Sequence, residues 1–63
     1  MIELTLPDMT CGHCEKVVRQ TVERVAPGAR VDVDLPAHRV RIDGADDARA
    51  IRSALDDAGY PAG

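Results

Sequence analysis

Arg30-Val31-Asp32-Val33-Asp34-Leu35-Pro36-Ala37-His38-Arg39-Val40-Arg41-Ile42-Asp43 is the stretch whose reading decides the fold. Val31, Val33 and Leu35 alternate with Arg30, Asp32 and Asp34. Beyond Pro36-Ala37-His38, Val40 and Ile42 alternate with Arg39, Arg41 and Asp43. A period of two places one set of side chains on each face of a strand, so both runs read as half-buried strands. The Pro36–His38 segment is their turn, and together they predict a hairpin with one aliphatic and one charged face.

On either side of this hairpin the period becomes helical. Upstream, Cys14, Val18, Thr21, Val22 and Val25 fall on one face from His13 onward, with Val17 at the edge of the stripe. Glu15, Lys16, Arg19, Gln20 and Glu23 lie mostly outside it, and Pro27-Gly28 stops the helix. Downstream, Gly44 ends the hairpin and Asp46 and Asp47 suit a helix N-terminus. Ala48, Ile51, Ala54, Leu55 and Ala58 mark the buried side of a second helix, which Gly59 terminates. At the start of the chain, Ile2, Leu4 and Leu6 alternate with Glu3 and Thr5 as another strand, closed by Pro7. Tyr60–Gly63 leaves room only for a very short last strand, which Pro61 restricts to a sheet edge. The order predicts an α+β, ferredoxin-like βαββαβ sandwich. It has an antiparallel sheet, two helices on one face and a short or vestigial last strand. In that topology the Asp8–Gly12 loop, the Pro36–His38 turn and the Ala58–Tyr60 junction meet at one end of the sheet.

Sixty-three residues make one small domain, taken as 1–63. A chain of this size buries only roughly 60% of its unfolded surface, so a bound metal would add to a modest stability. Eleven acidic against eight basic residues give a net charge of -3. That balance, with Tyr60 the only aromatic, excludes a nucleic-acid partner, which needs a basic face or stacking platforms. No apolar run is long enough to insert in a membrane, and no secretory signal opens the chain, which points to the cytoplasm.

The chemistry is concentrated in Cys11-Gly12-His13-Cys14. A disulfide across three positions closes almost no loop and staples nothing, so the pair serves local chemistry. Cys11 lies in the loop and Cys14 in the first helical turn, facing one point. Free N–H groups at a helix N-terminus favour negative charge and prepare a thiolate. Soft thiolates select Cu(I), and also suit Zn(II) and Hg(II). Two ligands do not close a tetrahedral zinc site, whereas Cu(I) accepts low coordination numbers. An exposed two-ligand site also releases its ion readily, because an incoming thiolate can join before the first leaves. The competing reading is a thioredoxin-like redox pair. The chain is too short for that fold, and a carrier, not an enzyme, is expected.

Met9-Thr10-Cys11-Gly12-His13-Cys14 resembles the motif of the heavy-metal-associated domain family, met in bacterial copper chaperones and in the N-terminal domains of copper-transporting P-type ATPases. The resemblance extends over the whole chain, through Pro27-Gly28 to the Ala58-Gly59-Tyr60 junction. It implies that Cys11 and Cys14 are the metal ligands. Met9 then matches a methionine tucked under the metal loop, and Tyr60 a tyrosine beside the site. It also implies a soluble metallochaperone that delivers Cu(I) to the metal-binding domain of a copper ATPase or buffers it, with a metal-bridged homodimer as a further assembly. The alternatives are a regulatory domain of a larger heavy-metal transporter and a carrier of zinc or mercury. His13 reads as solvated between the cysteines, and His38 as a polar turn residue displaced from the site. Asp8 stands where the family has glycine. A carboxylate there, beside the ligands, is expected to raise the thiol pKa; the alternatives are that it is solvated and screened, or that it lends an oxygen to a divalent ion. Zinc-transporting relatives carry aspartate just before the first cysteine, and here that position is Thr10, which favours copper.

Overall fold

A computed structural model describes every residue from Met1 to Gly63. The elements run β1 (Ile2–Thr5), α1 (Gly12–Val25), β2 (Arg30–Asp34), β3 (Arg39–Asp43) and α2 (Ala48–Asp57). The hairpin forms in the expected register, with Val31 opposite Ile42 and Val33 opposite Val40. β1 pairs antiparallel with the other side of β3, giving the order β1-β3-β2. Val40 and Ile42 lie in the central strand and are fully buried, whereas Val31 and Val33 on the edge are half-buried.

Both helices lie on one face of this sheet. Leu4 and Leu6 from the first segment, Val40 and Ile42 from β3, Val18 and Val22 from α1, and Ile51 and Leu55 from α2 form one aliphatic core. Met9 completes it, fully buried under the loop. Fully burying each such side chain contributes on the order of 1.5–3 kcal/mol. Thr21, the one buried polar residue, donates its hydroxyl to the Val17 carbonyl at 2.8 Å. The opposite face of the sheet carries Glu3, Arg39, Arg41 and the β2 charges in solvent, with Arg41 bonded to Glu3 at 3.1 Å.

The structure departs from the sequence expectations at several ends. α1 opens at Gly12, one residue early, because Cys11 itself caps it. Leu35 lies in the turn and not in β2, since the His38 N–H already closes on its carbonyl at 3.0 Å. Ala58 is exposed, because α2 ends at Asp57 and the chain turns away from the core there. No fourth strand forms. The tail lies beside β1 with one backbone bond, from the Gly63 N–H to the Thr5 carbonyl at 2.8 Å. Pro61 has no N–H to donate, which limits the tail to this contact.

Candidate metal centre

Three segments build the site. In the first, Cys11 takes an extended backbone (φ -145°, ψ 168°) and caps α1. Its sulfur accepts the Cys14 N–H at 3.4 Å. A thiolate here fills the place that a Ser or Asp oxygen usually takes at an N-cap. The i,i+3 spacing returns Cys14 to the same side, and the two Sγ atoms lie 2.9 Å apart. Both cysteines are free; Cys11 is exposed and Cys14 half-buried.

The second segment comes from the end of α2. Gly59 adopts φ 94°, a left-handed value that suits glycine. The Gly59 N–H donates to the Asp56 carbonyl and the Tyr60 N–H to the Leu55 carbonyl, at 3.0 and 2.8 Å. This pair of bonds is a Schellman motif, which satisfies the last helical carbonyls and turns the chain sharply. The turn brings Tyr60 to the Cys14 side of the site. The Cys14 pKa is lowered to about 7, first by the Cys11 thiol and next by the Tyr60 hydroxyl, with the Thr10 backbone amide third. Tyr60 responds in the opposite sense: its bond to Cys14 raises its pKa, so it stays a protonated donor. Near neutral pH Cys14 is thus divided between thiol and thiolate.

The third segment is the Leu35–His38 turn. The imidazole Nδ1 of His38 lies 3.0 Å from the Met9 carbonyl oxygen. The expected displacement of His38 from the site is thus corrected: its side chain reaches across to the metal loop. The readable signal was a turn without Gly or Asn, in which histidine takes the left-handed position (φ 55°). Histidine is enriched there among non-glycine residues. The remaining candidates stay outside. Met9 is core, and its sulfur lies buried beneath the loop. His13 and Asp8 are exposed, and no third His, Cys, Asp or Glu converges with the cysteines. Asp8 is absent from the groups that set the Cys14 pKa, against the expected rise at that thiol, and it is the last of the causes that raise the Tyr60 pKa. In solvent its field is screened. Arg19 is also occupied, bonded to Glu15 at 2.9 Å and to the Val31 carbonyl at 3.0 Å, so it serves the fold and covers the β2 edge.

This thiol pair, on the loop before α1 of a ferredoxin-like sandwich, agrees with a sequence profile matched over residues 3–61, that of the heavy-metal-associated domain. The chain belongs to the heavy-metal-associated domain family. Among solved structures it is similar to the copper chaperone Atx1 from Synechocystis PCC6803. The two share 33% identity at a TM-score of 0.93, over 100% of each chain. A gold-binding protein shares 31% identity at a TM-score of 0.92, covering 98% of this chain and 95% of that one. Oxidized MerP from Ralstonia metallidurans CH34 shares 27% identity at a TM-score of 0.85, covering 98% and 90% respectively. This heavy-metal-associated domain therefore has the metal-binding chaperone fold, with soft-metal proteins among its relatives.

Proposed function

We propose that this domain carries Cu(I) between the thiolates of Cys11 and Cys14 and passes it to the metal-binding domain of a copper-transporting P-type ATPase. The observation that carries the reading is the sulfur pair itself. Two free cysteines share a helix N-terminus, and no further protein ligand converges on them. Such a site satisfies an ion content with two soft ligands and leaves a divalent ion that prefers four under-coordinated. The likeness to Atx1 over the full length supports copper. Thr10 before the first cysteine supports it too.

The asymmetry of the pair supports transfer. Cys14, half-buried and with its pKa lowered to about 7, anchors the ion. Cys11, exposed, is the ligand that an incoming thiolate displaces. The ion then passes through a three-sulfur arrangement, so it never loses two ligands at once. The same openness allows a second copy to supply the extra sulfurs, and the trimeric form known for Atx1 supports such metal-bridged assembly. No helix is long and apolar enough to cross a membrane, and we place the carrier in the cytoplasm facing the transporter.

Metal content after anaerobic expression in copper-supplemented and zinc-supplemented cells tests the cargo. One Cu(I) per chain in the first case and little zinc in the second is the expected result. Cys11→Ser and Cys14→Ser should each abolish tight Cu(I) binding in competition with a Cu(I) chelator, with circular dichroism unchanged. Hg(II), another soft ion suited to two thiolates, is the second cargo, and the likeness to a gold-binding protein supports such a soft-metal alternative. Stoichiometric zinc in the purified protein would overturn the copper assignment.

A further inference from the structure

The Met9–Thr10 peptide is held from the hairpin side: the His38 Nδ1 lies 3.0 Å from the Met9 carbonyl oxygen. The chain has no cis peptide bonds. In a trans peptide the C=O and N–H are coplanar and point in opposite directions, so fixing one fixes the other. We propose that His38 is a positioning residue of the metal loop. Its Nδ1–H bond to the Met9 carbonyl sets the Met9–Thr10 peptide plane, and with it the direction of the Thr10 N–H at the approach to Cys11.

The surroundings give the imidazole this role. The loop between Pro7 and Cys11 has one backbone hydrogen bond of its own in this region, from the Met9 N–H to the Leu6 carbonyl at 3.0 Å. Asp8 and Thr10 are exposed, so their side chains do not hold the peptide. His38, by contrast, is anchored through its own backbone. Its N–H donates to the Leu35 carbonyl, and its carbonyl accepts the Leu6 N–H at 2.7 Å. The ring thus projects from the rigid hairpin onto the irregular loop. A carbonyl oxygen only accepts, so Nδ1 must carry the proton. The neutral δ tautomer and the imidazolium both do, and the tether persists in either state. A donor on the carbonyl also polarises the peptide and strengthens its N–H as a donor. The effect on metal affinity rests on the reading of Cys11 and Cys14 as ligands. The tether itself does not.

The test uses the full chain with two variants. His38→Gly keeps the left-handed backbone and deletes the ring. His38→Asn keeps an N–H donor near the Nδ1 position and tolerates positive φ. In the parent, nitrogen NMR of the ring should show a protonated Nδ1 at pH 8. His38→Gly should shift the Thr10 and Cys11 amide resonances and weaken Cu(I) binding by about three- to tenfold, the range expected for one net hydrogen bond. His38→Asn should restore most of both. An unprotonated Nδ1 in the parent overturns the proposal. So does a folded glycine variant with unchanged Thr10 amide and affinity, or a loss that asparagine does not restore. If the glycine variant fails to fold, the tautomer and the asparagine variant decide. If the parent binds no Cu(I), the proposed cargo fails, while the tautomer and the Thr10 amide still decide the tether.

Discussion

Cys14 is the residue on which the site's chemistry turns. Its pKa of about 7 lies below the ordinary thiol value because the Cys11 thiol and the Tyr60 hydroxyl both donate to its thiolate. The sign follows directly. Above about pH 7 the thiolate dominates and few protons compete with the ion, whereas affinity falls as pH drops through that value. Alkylation of the apo protein followed against pH should show a midpoint near 7, as its lowered pKa dictates. Tyr60→Phe should move that midpoint upward, because it removes the second-largest donor. Asp8→Gly should leave it where it is, since Asp8 does not act on this sulfur. A midpoint that falls in Asp8→Gly would show that the carboxylate reaches the thiols after all. The role of Cys14 as the anionic member of the pair was not legible in the sequence. The CxxC spacing treats its two cysteines alike, and only the approach of Tyr60 and Thr10 separates them.

At the scale of the elements, the ends matter more than the middles. The Schellman turn at Gly59 is what delivers Tyr60 to Cys14. A side chain at φ 94° is strained, although nothing would collide with the added Cβ. Gly59→Ala should therefore cost about 1–2 kcal/mol. It should also raise the Cys14 alkylation midpoint by shifting Tyr60, and an unchanged midpoint would detach the turn from the site. The hairpin register is set on its charged face as well as in the core. Arg30 faces Asp43, Asp32 faces Arg41 and Asp34 faces Arg39. Sliding the strands by two residues would set Arg30 against Arg41 in one direction and Asp32 against Asp43 in the other. Like charges directly opposite are destabilising. A slide of one residue would turn Val40 and Ile42 into solvent. The alternation of charge and aliphatic side chains in the sequence already contains this specification.

For the whole molecule, the missing fourth strand leaves β1 at an edge with the tail bonded once, Gly63 to Thr5. Gly63 also sits close against Pro7, where an added Cβ would lie 2.9 Å from the ring. Hydrogen exchange should find Ala62 at its free rate, because no bond holds its amide, and Gly63 slowed. Equal, free exchange at both positions would mean that the tail is frayed. Strong protection at both would mean that a second chain has added a strand to β1.

The sequence by itself determined the class of fold, the buried faces of the elements short of their ends, and the two cysteines of the candidate site. These depend on local period and spacing, which a linear chain displays openly. The tertiary structure alone decided which distant residues join the site. Tyr60 stands 46 positions beyond Cys14 and His38 29 beyond Met9, and their meeting depends on three segments converging at one end of the sheet. Resemblance to a family placed Tyr60 there in advance. The turn without Gly or Asn marked only the backbone of His38; its reach to Met9 was hidden, because a hydrogen bond from a turn to a backbone carbonyl leaves no period and no motif at either partner. Asp8 lies within the same loop as Cys11, but a solvated carboxylate acts weakly on its neighbours, and the sequence does not show which loop side chains are solvated.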